Sequence, residues 1–181
     1  MSDFWVFGYG SLMWQPGFEH EQAVAARLNG LHRSLCIYSW VHRGTQQRPG
    51  LVLGLDRGGS CRGIAYRVAG ERRDAVLRYL RERELVTDVY LEVVRPVHLE
   101  GHTAPVDAVT YIADRTHEQY AGNLPRETLL TMVKAGVGKS GNNVDYVIAT
   151  VRHMLSVGIR DATLEWLAAE LGGEGGDGGR R

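Results

Sequence analysis

The spacing of apolar residues changes along this chain, and this change is the feature that most restricts which folds the chain can adopt. Most of the first two thirds consists of short Val-, Ile- and aromatic-rich segments bounded by Gly, Pro, Asn or Asp, which predict strands. These are Phe4–Tyr9, Ala23–Leu28, Leu31–Tyr38, Leu51–Leu55, Cys61–Val68, Val89–Val97 and Val106–Ile112. After Pro125, apolar residues recur at spacings of three and four, which predicts helices. We therefore expect an α+β fold, with a small mixed β-barrel or curved sheet and flanking helices.

Helices and turns refine this prediction. One helix is expected between strands, over Glu71–Leu85, and two more after Pro125. Their apolar stripes consist of Val76, Leu77 and Leu80, then Val144, Val147, Ile148, Val151 and Leu155, then Leu164, Leu167, Ala168 and Leu171. Gly158 is placed to end the second helix. The segment Leu55–Ser60 is typical of a hairpin connection between two strands.

Composition limits the size and partners of the protein. At 181 residues and 20.1 kDa, we expect one domain over residues 1–171 and a flexible Gly-rich tail over 172–181. Lys+Arg 21 balances Asp+Glu 21, so no basic surplus favours nucleic acid or anionic lipid. No apolar run approaches the roughly 18–20 residues of a membrane span. Without a secretory pattern, and with Cys36 and Cys61 expected as reduced thiols, we predict a cytoplasmic protein of unspecified oligomeric state.

Three cofactor motifs are incomplete. Gly8–Met13 begins like a dinucleotide fingerprint, but Met13 stands where the third glycine belongs. Gly138–Ser140 ends like a P-loop, but Val133 stands where the first glycine belongs. The seven histidines and two cysteines follow no metal-ligand spacing. We predict neither a cofactor nor a metal.

Glu84 is the most informative charged residue. At about 100° per residue, it falls on the stripe of Val76, Leu77 and Leu80, whereas Glu82 falls nearly opposite. A buried ionised carboxylate costs several kcal/mol unless it is paired. Either Glu84 lies at a frayed helix end and turns outward, or it is a general base with a raised pKa in a pocket.

The corner Phe7–Leu12 is the second informative feature. Gly8 and Gly10 flank Tyr9, which lets the backbone turn sharply and pass close to a ligand. Its N–H groups suit a carboxylate or a developing oxyanion, although a plain strand-to-loop corner has the same composition. Together, the corner and Glu84 favour catalysis without a protein nucleophile, in which the substrate attacks itself.

Several segments, in order, resemble the ChaC family of glutathione-specific γ-glutamylcyclotransferases. They are Trp5–Trp14, His42–Thr45 with Pro49-Gly50, Gly63–Arg67, Tyr79–Glu84 and Gly138–Tyr146. The resemblance covers about residues 4–171. The chain departs from the family at Asp145, which replaces Glu. After Glu84 it has Leu-Val-Thr-Asp-Val-Tyr where some members have Lys-Gly-Gly-Tyr, so the offset to Tyr90 differs.

The resemblance implies a γ-glutamylcyclotransferase-like fold and cofactor-free cleavage of glutathione, a small-molecule substrate, to 5-oxoproline and cysteinylglycine. Glu84 would be the catalytic base that takes a proton from the substrate α-amine and delivers it to the leaving nitrogen. The implied substrate-binding residues are Gly8, Tyr9, Gly10, Ser11, Leu12, Met13 and Tyr146. Two alternatives stay open: a cyclotransferase for other γ-glutamyl amines or amino acids, and a non-catalytic soluble regulator of cation transport.

Overall fold

The computed structural model describes residues 1–173, whose packing forms two compact units. The first contains Met1–Ser34 and Leu53–Tyr120, and the second contains Leu35–Val52 and the chain from Ala121 onward. The single domain expected over residues 1–171 stays a prediction. No helix among the described residues is long and apolar enough to span a membrane.

Five strands form a closed barrel. They are β1 (Phe4–Gly8), β2 (Gln22–Ser39), β3 (Gly50–Val68), β4 (Tyr90–Leu99) and β5 (Val106–Ala113). The order around the barrel is β1-β3-β2-β4-β5, and β1 closes it by pairing in parallel with β5. The pairings of β1 with β3, β2 with β4 and β4 with β5 are antiparallel. The predicted α+β class with a small mixed barrel is confirmed.

The first helix packs against the barrel as its apolar stripe predicts. After a 3₁₀ turn at Gly70–Arg72, α1 covers Arg73–Glu84. Its three buried side chains belong to one apolar cluster with residues of β1, β3 and β5. The cluster consists of Phe4, Val6, Leu12, Val68, Val76, Leu77, Leu80, Val109 and Tyr111. Since burying a Val or Leu side chain contributes about 1.5–3 kcal/mol, this face of α1 fixes the helix on the barrel.

The hairpin predicted at Leu55–Ser60 is wrong. This segment lies inside the continuous strand β3, where Gly58 and Gly59 adopt positive φ values of 102° and 64°. Glycines in this conformation, like those of β-bulges, bend a strand without reversing it. Gly30, at φ 86°, likewise lies inside β2, so the two strands predicted on either side of it are one.

The second unit is mostly helical. It contains α2 (Arg126–Ala135), α3 (Asn143–Ser156) and α4 (Ala162–Gly173), with short strands β6 (Val137–Gly138) and β7 (Gly141–Asn142). Helices α3 and α4 confirm the two helices predicted from the 3/4 spacing after Pro125, whereas α2 was not predicted.

The ends of α3 and α4 can be compared with the ends predicted from the sequence. Gly158, at φ 76°, follows α3 as predicted, and its N–H donates to Leu155 O at 3.1 Å. Helix α4 extends to Gly173, two residues into the flexible tail predicted over 172–181, and that tail stays a prediction. Helix ends vary by one or two residues when no capping residue stops them. The rest of that tail lies outside the described residues.

Gly63 is where β3 leaves no room for a side chain against β1. A Cβ at this position would collide with Gly8 O and would lie 2.7 Å from Phe7 Cζ. We predict that Gly63→Ala lowers the free energy of unfolding by about 1–3 kcal/mol, as overpacking does, measured by urea denaturation. Gly172→Ala is the control, because no atom lies within 4 Å of its added Cβ. Equal stability of the two variants would contradict this account.

Candidate active site

The carboxylate of Glu84 lies at the end of α1, on its buried side. Its side chain is only 18% exposed, whereas Glu82 is exposed. The alternative in which Glu84 turns outward therefore does not hold. Arg83 is the charged neighbour, with its Nε 3.4 Å from Glu84 Oε1.

Burial raises the pKa of the Glu84 carboxyl, because the charged form loses hydration. The positive charge of Arg83 acts in the opposite direction, as the weaker of the two effects. Glu84 therefore holds its proton more tightly than an exposed glutamate does. This property suits a group that accepts a proton and then returns it.

A second carboxylate near this site, that of Glu92, has a pKa that is lowered rather than raised. Arg81 donates to both oxygens of Glu92, at 2.9 and 2.8 Å, and these bonds hold the pKa of Glu92 below its usual range. The buried Tyr111 hydroxyl donates to Glu92 Oε2 at 3.0 Å. Burial, Glu92 and, to a smaller extent, the charge of Glu84 raise the pKa of Tyr111 far above its ordinary value. Glu92 thus stays ionised and paired while Glu84 is displaced toward its neutral form.

The corner after β1 forms a 3₁₀ turn at Ser11–Met13. The N–H of Met13 donates to Gly10 O at 2.9 Å, so the turn itself uses the amide of Met13. The first amides of such a turn, those of Ser11 and Leu12, are the ones that its own hydrogen bonds do not use. The side chains of Leu12 and Met13 are buried, and Ser11 is exposed. The turn therefore offers backbone groups and the Ser11 hydroxyl, rather than apolar side chains.

The two glycines of this corner have different reasons to be glycine. A Cβ at Gly8 would lie 2.9 Å from Leu12 Cβ, so the protein's own packing requires glycine there. At Gly10, φ is −130°, and an added Cβ would meet only Leu53 Cδ1, at 3.7 Å. The sharp, glycine-dependent turn expected at Gly10 is therefore not a left-handed conformation. Among the described residues, no neighbouring atom lies close enough to exclude a small side chain at that position.

Two buried polar residues that the sequence did not single out hold this corner. The Tyr66 hydroxyl lies 2.8 Å from Leu12 O and 2.9 Å from Met13 O, and burial raises its pKa to about 12. Arg33 Nε donates to Tyr9 O at 2.6 Å. Arg33 Nη2 donates in addition to a carbonyl of β3, that of Arg62, at 2.6 Å. These bonds satisfy carbonyl oxygens that a turn would otherwise bury without partners.

Arg83 was also missed, because a charged residue between two glutamates gives no pattern. Its Nη2 donates to Ser11 Oγ at 2.8 Å, and its Nη1 donates to Gln15 O at 2.7 Å. The Arg83 side chain therefore links Glu84 to the 3₁₀ turn at Ser11–Met13, which we call the Ser11 turn.

The two tyrosines that the resemblance raised lie in different units. Tyr90, in β4, donates its hydroxyl to Leu53 O at 2.7 Å in the first unit. Tyr146, in α3, lies under Arg43, whose guanidinium carbon is 5.5 Å from the ring centroid. Both contacts are within the protein fold. A substrate contact by Tyr146 stays a prediction.

Two segments of the resemblance pack against each other in the second unit. Lys139 N donates to Val41 O at 2.7 Å and Ser140 N to His42 O at 2.9 Å. His42 Nδ1 also lies 2.7 Å from Ser140 Oγ. These bonds show that the two segments shape this unit.

Within the same unit, Asn143 links α3 to the start of β3. Its buried side chain accepts a hydrogen bond from Leu51 N at 2.8 Å and donates one to Leu51 O at 2.9 Å. A side chain that replaces a strand partner in this way fixes both the helix start and the strand.

Potential metal ligands do not cluster in the part of the chain that the structure describes. Within residues 1–173, no three His, Cys, Asp or Glu side chains could together hold a metal ion. Cys36 and Cys61 are buried free thiols. The functional groups at the candidate site are a carboxylate, a guanidinium, hydroxyls and backbone amides.

Comparison with known proteins adds to this geometry. A sequence model of the ChaC-like protein family matches residues 4–172. Over 168 residues, the chain is 34% identical to the glutathione-specific γ-glutamylcyclotransferase of Escherichia coli K12, covering 92% of this chain and 72% of that protein. Over 173 residues, it is 33% identical to glutathione-specific γ-glutamylcyclotransferase 1 of Mus musculus, covering 93% and 78%. A yeast glutathione-specific γ-glutamyl cyclotransferase structure shares the fold, with TM-score 0.83, 21% identity, and coverage of 96% and 97%.

The raised pKa of Glu84 predicts how stability depends on pH. Because the folded carboxyl binds its proton more tightly than the unfolded one, stability falls as pH rises from below the unfolded pKa to above the folded pKa. Glu84→Gln removes this cost, so its Tm at pH 8 should exceed that of the wild type by about 2–4 °C, or roughly 1 kcal/mol. The difference in Tm between Glu84→Gln and the wild type should shrink below about pH 4, where the Glu84 carboxyl is protonated in both the folded and the unfolded protein.

Calorimetry at the two pH values measures this effect. Glu82→Gln is the control on the exposed face and should match the wild type at both. A wild type more stable than Glu84→Gln at pH 8 would show that the carboxylate is stabilised by pairing rather than strained by burial.

Proposed function

This chain belongs to the ChaC-like protein family, and on that premise we propose that it is a glutathione-specific γ-glutamylcyclotransferase. It converts glutathione to 5-oxoproline and cysteinylglycine and acts in the cytoplasm as a lyase. The observation that carries the proposal is the largely buried Glu84 carboxylate, held beside the Ser11 turn by Arg83. This is the arrangement that a self-cyclising substrate needs: a base, and donors for the carbonyl that it attacks.

The chemistry is an intramolecular displacement. The α-amino nitrogen of the glutamyl group forms a bond to its own γ-carbonyl carbon, and the bond from that carbon to the cysteine nitrogen breaks. The attacking nitrogen loses two protons as it becomes the lactam N–H, and the leaving nitrogen gains two as it becomes the ammonium group of cysteinylglycine, so no net proton is released. Glu84 takes the first of these protons from the α-ammonium and delivers it to the leaving nitrogen. Because the nucleophile belongs to the substrate, the enzyme mainly folds the γ-glutamyl chain and moves this proton.

The Ser11 turn is proposed to bind the glutamyl group. The amides of Ser11 and Leu12 are suited to donate to the substrate carboxylate or to the oxygen that gains charge during attack. The open side of Gly10 leaves room for the substrate. Met13 contributes through its buried side chain, which supports the turn, since its amide is already used.

The first prediction from this function concerns Glu84. Glu84→Gln should lower kcat for 5-oxoproline formation by about 100-fold or more, because the amide cannot take the ammonium proton. Glu82→Gln, two residues earlier on the exposed face, should retain wild-type kcat. An equal loss in both variants would remove Glu84 from the role of base.

The second prediction concerns substrate choice. Glutathione should be a better substrate than glutathione disulfide, and γ-glutamyl-alanine should be poorer still, because it lacks the cysteinylglycine contacts that place the scissile amide. The measurement is kcat/KM for the three substrates. If γ-glutamyl-alanine equals or exceeds glutathione, the enzyme is a broader cyclotransferase. If none of the three is converted, the non-catalytic alternative replaces the proposal.

A further inference from the structure

Every nitrogen of the Arg83 guanidinium has a partner at the candidate site, yet the proton transfer described above gives this residue no role. We propose that Arg83 is a positioning residue for the cyclisation, which holds the Ser11 turn at a fixed place relative to the Glu84 carboxylate. This inference rests on the proposed function.

The contacts to the turn come from the two terminal nitrogens. Nη2 donates to Ser11 Oγ at 2.8 Å, and Nη1 donates to Gln15 O at 2.7 Å and Pro16 O at 3.2 Å. These acceptors lie at both ends of the Ser11–Pro16 segment. One guanidinium therefore fixes the start and the end of the segment that carries the proposed substrate-binding amides.

The remaining contacts tie the same guanidinium to α1. Nη1 donates to the hydroxyl of Tyr79, one turn earlier, at 3.0 Å, and Nε faces Glu84 Oε1 at 3.4 Å. The chain after Pro16 also passes close to this turn of the helix. Gly17 has a φ of 76°, and a Cβ there would collide with the Tyr79 hydroxyl. Gly17 therefore lets the loop pass close to Tyr79 of α1, where Arg83 also binds.

Arginine suits position 83 because its planar guanidinium, here called the fork, holds several donors in fixed directions. A lysine at residue 83 would keep the positive charge but has a single nitrogen, which cannot reach acceptors on Ser11, Gln15 and Tyr79 in fixed directions. The Arg83 side chain is only 22% exposed, and its partners Ser11 and Gln15 lie at the surface. Replacing Arg83 by lysine therefore removes the planar guanidinium and keeps the positive charge.

The charge matters because Arg83 is the charged group that lowers the pKa of Glu84 against the effect of burial. Arg83 lies on its own helix, and Tyr111 faces it from β5 with a neutral hydroxyl bonded to Glu92. The Glu92 charge is itself compensated by Arg81. Removing the Arg83 charge should therefore raise the pKa of Glu84 further, since Arg83 is the group that lowers it.

Two variants test the proposal in 5-oxoproline assays. Arg83→Lys should lower kcat/KM by about tenfold or more because the turn is no longer held, with an unchanged acid limb of the pH profile. Arg83→Gln should show the same loss, and its acid limb should move to higher pH. Arg78→Gln is the control, because Arg78 is exposed on the same helix. Thermal unfolding must show that each variant is folded at the assay temperature.

Wild-type kcat/KM in Arg83→Lys, or an unmoved acid limb in Arg83→Gln, overturns the proposal. A failure of the proposed function is recognised separately, because wild-type protein would then release no 5-oxoproline. In that case, an NMR titration of ¹³C-labelled glutamate still tests the link between the two residues. The Glu84 signal, assigned by its loss in Glu84→Gln, should titrate at higher pH in Arg83→Gln than in the wild type. An equal pKa in the two proteins overturns the proposal.

Discussion

The burial of one carboxylate, that of Glu84, is the constraint on which the rest of the site depends. The apolar face that fixes α1 on the barrel also carries Glu84 out of water. The free energy that this burial costs is supplied by the packing of Val76, Leu77 and Leu80. Stability and chemistry therefore share one helix face, and the raised pKa of Glu84 follows from the same contacts that hold the helix.

The barrel supplies the other half of the site by fixing where β1 ends. Parallel pairing of β1 with β5 closes the barrel, and Thr110 Oγ1 donates to Phe7 O at 3.0 Å just before the Gly8 corner. On the other side, Gly63 and Tyr66 of β3 let the corner approach closely and hold its carbonyl groups. A turn held by buried hydrogen bonds needs little reorganisation when a substrate binds, which is the condition for electrostatic stabilisation of a transition state.

The sequence predicted those parts of the fold that depend on the spacing of apolar residues and of glycines. The stripe of α1 placed Glu84 on the buried face, and Gly158 marked the end of α3, because both signals are local. The hairpin at Leu55–Ser60 was wrong because glycines at positive φ occur inside bent strands as well as in turns. Arg33 and Arg83 could not be found because they bind backbone carbonyls that are distant in the sequence, and such contacts leave no pattern.

The central claim is that the substrate's own amine, and not water, attacks the γ-carbonyl while Glu84 carries the proton. The most direct measurement is to convert glutathione in H₂¹⁸O and analyse the products by mass spectrometry. Cyclisation predicts 5-oxoproline without ¹⁸O from the solvent, together with unlabelled cysteinylglycine. Glutamate with ¹⁸O in its γ-carboxylate would show hydrolysis by water and would contradict the account.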